Sequence, residues 1–166
     1  MRHSIKAAIA MLFFIAFDQV TKYLAIVYLK GTNGIALIPD VFHLYYLENH
    51  GVAFGMFQGK LWFFLPFTIV ITLIMMFLYC KVPDTKRYVP IRLCIVLIAS
   101  GAIGNIIDRI VHQYVVDFLY FKLINFPIFN VADCYVVIAV IIFVFLMLFY
   151  YKEEELDAIW KSKGKE

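Results

Sequence analysis

Four apolar runs, at about residues 7–29, 61–80, 91–111 and 131–151, leave this chain little choice of fold. A helix needs about 20 mostly apolar residues to cross a bilayer, and each run is about that long. Hydrophobic side chains fill 64% of the 166 positions and charged ones 16%, against roughly 45–50% and about 25% in soluble domains. The expectation is a single-domain (1–166), all-α integral membrane protein. Four transmembrane helices would carry a small extracytoplasmic β-sheet, a cradle, on the outer face.

The first run has a rival reading as a cleaved signal peptide, because Met1 to Lys6 is short and basic. Such peptides have an apolar core of about 7–15 residues. This run is longer, contains Asp18 and Lys22, and lacks a small-x-small site at its end, so a first span is expected. Asp18 and Lys22 lie four apart and share a helical face. They either tie this helix to its neighbours or support a site.

Residues 30–60 differ in kind. Gly31, Asn33, Gly34 and Pro39 mark turns, and Val41 to Leu47 is aromatic and β-branched, favouring a strand. Asn49-His-Gly51 suggests a tight turn between two extended pieces, completing an antiparallel sheet at the membrane surface. Basic residues orient the chain. Arg2, Lys6, Lys81, Lys86, Arg87, Arg92, Lys152, Lys161, Lys163 and Lys165, ten of the fifteen, fall on one side. Both termini are therefore expected in the cytoplasm, with loops 30–60 and 112–130 outside. The tail 152–166 is expected as a solvated cytoplasmic helix or frayed end. A net charge of +3 is too small to suggest nucleic acid. Cys80, Cys94 and Cys134 show no CxxC spacing and read as packing residues.

Against this apolar background Asp108, Asp117 and Asp133 stand out, with Asn105, Arg109 and Asn130 beside them. Ionisable groups at membrane depth usually face a partner, a cavity or a reaction. Gly101, Gly104, Asn105 and Asp108 form one helical stripe on which small residues admit another helix closely. Asp108 and Arg109 are read as a structural ion pair at the membrane edge. Val115-Val-Asp-Phe118 is a short extended segment. Asn130 suits a helix N-cap, with Asp133 reaching back to it. If Asp117 abuts Asp133, the two share a proton and can serve as general acid and general base. On spacing alone the dyad is one reading, and two acids at loop edges are more often structural. The serines (Ser4, Ser100, Ser162) have no base nearby in sequence, and no metal-ligand spacing occurs on a helix. A thiol–imidazole pair of Cys134 with His50 or His112 is disfavoured, because Cys134 points about 100° away from Asp133.

Five blocks, in order, resemble the signatures of bacterial lipoprotein signal peptidase (signal peptidase II). They are Asp18-Gln-Val-Thr-Lys22, Asn49-x-Gly-x-Ala-Phe54, Gly104-Asn-Ile-Ile-Asp-Arg109, Val115-Val-Asp-Phe118 and Phe129-Asn-Val-Ala-Asp133. The resemblance covers about residues 10–150. It implies an intramembrane aspartic endopeptidase of the bacterial cytoplasmic membrane, with its active site toward the outer face. Such enzymes remove signal peptides from diacylglyceryl-modified prolipoproteins, cutting before the lipidated cysteine. By motif, Asp117 and Asp133 would be catalytic. Asn49, Gly51, Gly104, Asn105, Asp108, Arg109, Asn130 and Ala132 would support the site, with Asp18 and Lys22 structural. No cofactor or metal is implied. Prolipoproteins, membrane lipid and globomycin-type peptide inhibitors are the expected partners, and a monomer the expected state. The chain departs from the pattern at His50, Val52, Ser100 and Gln113, positions that bear on cradle shape and turn conformation. A small ion- or proton-coupled transporter using the buried carboxylates is the alternative, and a non-catalytic assembly factor for lipidated proteins is a third reading.

Overall fold

The computed structural model describes residues 2–51 and 61–161. Val52, Ala53, Phe54 and Lys60 lie outside the described residues, as do Ser162, Lys163 and Lys165. The second extended piece expected after Gly51 also falls there. Five helices follow in order: α1 (Arg2–Leu29), α2 (Leu61–Lys81), α3 (Val89–His112), α4 (Val131–Phe145) and α5 (Glu153–Lys161). A π-helical turn, Leu146–Tyr150, extends α4. Three stretches, Ile5–Leu29, Lys86–His112 and Val131–Tyr150, are long and apolar enough to cross a membrane, and Leu65–Lys81 is a shorter apolar helix.

α3 is the hub, packed against α1, α2 and α4. Its buried positions include Ile91, Cys94, Ile95, Leu97, Ser100, Gly101, Gly104 and Asp108. α1 instead buries one stripe, Asp18, Lys22, Ala25 and Leu29, and leaves Leu12, Phe13, Phe17 and Val20 exposed. That pattern is a helix with lipid on most sides. Lipid tails are as apolar as leucine, so close packing and polar contacts must hold such helices together.

Gly101 shows how close the packing is. A Cβ there would lie 2.5 Å from the backbone oxygen of Ala132 on α4. A backbone carbonyl in a helix cannot yield as a flexible side chain can. Gly101→Ala is therefore expected to destabilise by about 1–3 kcal/mol, read as a lower unfolding temperature in detergent. An unchanged midpoint would mean that the helices can part freely.

The sheet is three-stranded and antiparallel, in the order β1 (Ile35–Ile38), β2 (Phe42–Asn49) and β3 (Val115–Phe121). It joins the two loops expected outside the membrane, whereas the sequence suggested a sheet within residues 30–60 alone. The strand expected at Val41–Leu47 is β2. The Asn49–Gly51 turn is present, with the Gly51 amide donating to Asn49 Oδ1 at 3.0 Å. Gln113, at an expected glycine, takes the left-handed conformation that ends α3 (φ 66°). Its side-chain amide donates to the carbonyl of Arg109 at 3.2 Å, which helps hold a conformation glycine adopts more readily.

The tail is more ordered than expected as far as Lys161. Leu156 and Ile159 of α5 pack into the core cluster formed around Ile91, Cys94 and Leu146. Arg87 grips Glu155 through two bonds, at 2.8 and 3.0 Å, and holds that carboxyl down at about 2. The Tyr88 hydroxyl donates to the Glu155 carbonyl at 2.8 Å, so α5 is clasped to the turn between α2 and α3.

Candidate active site

Two neutral asparagines and one helix start bring the acids together. Phe129 pairs with Leu119 on β3 through bonds of 2.8 and 3.0 Å, which sets the start of α4 beside Asp117. Asn130 caps that helix: its Oδ1 accepts from the Asp133 amide at 3.0 Å, and Asp133 Oδ2 accepts from the Asn130 amide at 3.1 Å. This is the expected capping box. With its oxygen so engaged, Asn130 turns its Nδ2 to Asp117 Oδ1, 2.6 Å away. Asn49 repeats the device, its oxygen held by the Gly51 amide and its Nδ2 donating to Asp117 Oδ2 at 2.8 Å. One asparagine thus touches both aspartates.

Asn105 supplies the third amide. Its Oδ1 accepts from Lys22 Nζ at 2.8 Å and from Asn130 at 3.2 Å, so its Nδ2 donates to Asp133 Oδ1 at 3.0 Å. Each amide is anchored by its oxygen and presents its nitrogen to a carboxylate.

Behind this layer lies a buried charge cluster. Lys22 Nζ also contacts Asp18 Oδ2 at 3.0 Å and Asp108 Oδ2 at 2.9 Å. All three side chains are at most 2% exposed. One cation faces two carboxylates, and backbone donors make up the difference. The Ala132 amide, in the first turn of α4, donates to Asp18 Oδ1 at 2.9 Å, and the Val116 amide to Asp108 Oδ2 at 3.0 Å. Gln19, which sequence reasoning passed over, donates to Asp108 Oδ1 at 3.0 Å and to the Gly104 carbonyl at 3.2 Å. Its signal was a lone amide within an apolar run. The expected Asp108–Arg109 ion pair is not the one that forms. Neighbouring helical residues diverge by about 100°, so Asp108 faces α1 and Lys22. Arg109 turns the other way and donates to the Asn105 carbonyl at 3.2 Å.

Arg109 faces a cavity of about 640 Å³. Asn49, Gly51, Asn105, Asp117 and Asp133 share its polar wall, and Phe121, Ile124, Phe126, Ile128 and Phe129 form an apolar one. Gly104, Asp108, Asn130, Ala132, Asp18 and Lys22 stand behind the polar wall. Burial, and next the charge of Asp133, push the Asp117 carboxyl up to about 7, against the pull of the Asn49 and Asn130 amides. Cys134 also lines the cavity, so its turn away from Asp133 does not exclude it. Neither His50 nor His112 is among the lining residues; both rings pack on Tyr114. The apolar stretch Ile124–Phe129, expected only as outer loop, proves to be cavity wall.

A pair of carboxyls in such a wall can activate water and protonate a leaving group. The family model described as signal peptidase (SPase) II matches residues 10–149. A lipoprotein signal peptidase of Caldanaerobacter subterraneus subsp. tengcongensis is 44% identical over 86% of this chain and 96% of its own. One of Brevibacillus brevis is 44% identical over 76% and 83%. Among solved structures, a bacterial membrane enzyme determined by the in meso method at 2.3 Å superposes with a TM-score of 0.76. It is 31% identical, over 97% of this chain and 93% of that one.

Proposed function

This chain belongs to the signal peptidase II family and removes the signal peptide from prolipoproteins, and we propose that it does so as an aspartic endopeptidase using Asp117 and Asp133. The observation that carries the proposal is the pair of carboxyls on one cavity, Asp117 bonded to the Asn130 side chain and Asp133 to the Asn130 backbone amide. Asp133 accepts N–H donors on both oxygens at a helix start, an arrangement suited to a general base. Asp117, with its raised pKa, suits the acid. Water adds to the scissile carbonyl carbon as Asp133 takes its proton, and Asp117 protonates the carbonyl oxygen. The carbon–nitrogen bond then breaks, the amine leaving with the proton held by Asp133 while the new carboxyl returns one to Asp117. Arg109 and the amides orient the acids and the peptide backbone.

The preferred substrate is a prolipoprotein whose cysteine carries diacylglycerol, cut just before that cysteine. The apolar cavity wall supports this reading, since buried lipid adds about 25 cal/mol per Å². The molecule acts as a monomer with four spans in the bacterial cytoplasmic membrane. α2 is the fourth, both termini are cytoplasmic, and the sheet forms an outer cradle; the distribution of Lys and Arg supports that orientation. Globomycin-type peptides would occupy the same cavity.

The test is a gel-shift cleavage assay on purified protein in lipid, with diacylglyceryl-modified and unmodified prolipoprotein. Only the modified form is expected to be cut; equal cutting of both would remove the lipid requirement. A pH profile tests the roles. Asp117 is protonated below about 7 and ionised above, so kcat is expected to fall as pH rises through that value. A rate that climbs through the same range would make Asp117 the base.

A further inference from the structure

Lys30, Tyr46, Glu48, His50 and Tyr114 form a polar cluster that the reaction above does not use. The Glu48 carboxylate accepts from Lys30 Nζ at 2.8 Å and from the Tyr46 hydroxyl at 3.0 Å, both on Oε1. Its Oε2 faces His50 Nε2 at 3.9 Å. The Tyr46 hydroxyl also lies 3.4 Å from that of Tyr114, whose ring packs against His50. Lys30 directly follows α1, so the cluster fastens the end of β2 to the end of that helix. The Lys30 bond holds the Glu48 carboxyl below its ordinary range. Burial pushes the Tyr46 phenol up, which keeps it protonated as a donor.

Glu48 stands back to back with Asn49, because successive strand residues point to opposite faces. Asn49 lines the cavity and donates to Asp117. Tyr46, on the same side as Glu48, packs against Leu29 and Val116. An irregularity in β2 decides which of the two neighbours faces the cavity. From Leu44 to Leu47 the strand takes three steps, while β3 takes two, from Leu119 to Asp117. The extra residue is a bulge, and a shift of one residue turns every later side chain to the other face. A bulge also disrupts the ladder locally, so side-chain contacts beyond it must hold the register. Tyr46 lies within the irregular stretch and Glu48 just past it, and one register brings both to Lys30.

We propose that Glu48 is a positioning residue for the candidate acid: with Lys30 and Tyr46 it locks β2 in the register that aims the Asn49 amide at Asp117. This rests on the peptidase reading above. Lys30 and Glu48 are partly exposed, and such pairs add little stability, so the effect is one of geometry. The Asn49 bond pulls the Asp117 carboxyl down, against burial and the charge of Asp133. Slackening that bond lets the carboxyl rise. The sign is diagnostic, because loss of the Glu48 charge acts through space in the opposite direction: a lost anion favours ionisation of its neighbours.

The test is a carbon-13 NMR titration of the Asp117 carboxyl in detergent, assigned with Asp117→Asn. The other charged or titratable groups facing the two carboxyls are kept in every variant: Asp133 of α4, Lys22 of α1 and Arg109 of α3 around Asp117, with Lys30 and His50 around Glu48. Glu48→Ala is expected to raise the midpoint by about half to one pH unit, the worth of one hydrogen bond. Asn49→Ala should raise it similarly, and the double variant no further than Asn49→Ala alone. Glu48→Gln keeps an oxygen for Lys30 and Tyr46 and should return the midpoint most of the way. An unchanged or lower midpoint in Glu48→Ala, a rise that adds to that of Asn49→Ala, or no return with glutamine overturns the proposal. In the cleavage assay, the fall of kcat with rising pH is expected to move up with the midpoint in Glu48→Ala while KM holds. A fall that stays in place overturns the role in the reaction. The titration needs no turnover, so it is read apart from the cleavage assay, in which failure of the unmodified enzyme to cut any prolipoprotein would sink the peptidase reading instead.

Discussion

Asp117→Asn and Asp133→Asn are each expected to lower kcat by about 10³-fold or more. An acid or base acting in a transition state contributes about 10²–10⁴-fold, and in the proposed mechanism each carboxyl carries a proton of its own. Each asparagine keeps the size of the carboxyl but can neither give nor take that proton. The substitutions differ in their structural side effects. Asp133 also closes the capping box of α4, so its replacement is expected to destabilise by about 1 kcal/mol. Asp117 holds no helix end, and its replacement should leave KM near the unmodified value. Cys134→Ala is the control, because its thiol shares the cavity with both acids. It should retain activity within about threefold; loss of activity there, with both aspartate variants active, would transfer the chemistry to the thiol.

Lys22→Met carries the largest expected effect on stability, about 3–5 kcal/mol, the range for removing one partner of a buried ion pair. The methionine fills a similar volume, so the loss is one of charge. Asp18 and Asp108 would be left as two buried carboxylates facing each other, with Ala132 and Val116 amides as their remaining backbone donors. Thermal unfolding in detergent measures the loss. Adding Asp108→Asn removes one of the two uncompensated charges and should restore part of the stability, a coupling of about 0.5–3 kcal/mol. Equal midpoints for Lys22→Met and the unmodified protein would mean that the cluster is held by its amides alone. Activity should fall as well, since Lys22 holds the oxygen of Asn105, whose nitrogen meets Asp133.

Features with a local cause were readable in the sequence. The Asp18–Lys22 contact follows from a four-residue spacing, the close approach at Gly101 and Gly104 from a small-residue stripe, and the Asn130–Asp133 box from a capping motif. What escaped depends on which helix faces which. Asp108 lies 86 residues beyond Lys22, and only the packing of α1 on α3 shows that they meet while Arg109 faces the cavity. β1 was lost because four residues between Gly34 and Pro39 give too little alternation to register. β3 was seen as extended, but its pairing with β2 links two loops separated by two helices, and no local pattern encodes that register. The motif resemblance named Asp117 and Asp133 as a pair; that Asn130 touches both required coordinates. The orientation of three amides, each fixed by what holds its oxygen, is a property of the network and of no single residue.

That network has a pharmacological consequence. A compound filling the cavity beside Asp117 and Asp133 meets a polar wall whose side chains also hold the fold together: Asn105 sits on Lys22, Asp133 starts α4, and Asn49 and Asn130 hold Asp117. A bacterium escaping the compound by changing one of them would lose catalysis or the fold along with the drug. The apolar wall offers an easier route, because Ile124 and Phe126 are exposed loop residues with no bond to the charge cluster. Resistance should therefore collect in the loop between β3 and α4, and compounds that draw their affinity from the amides and Arg109 should present the higher genetic barrier.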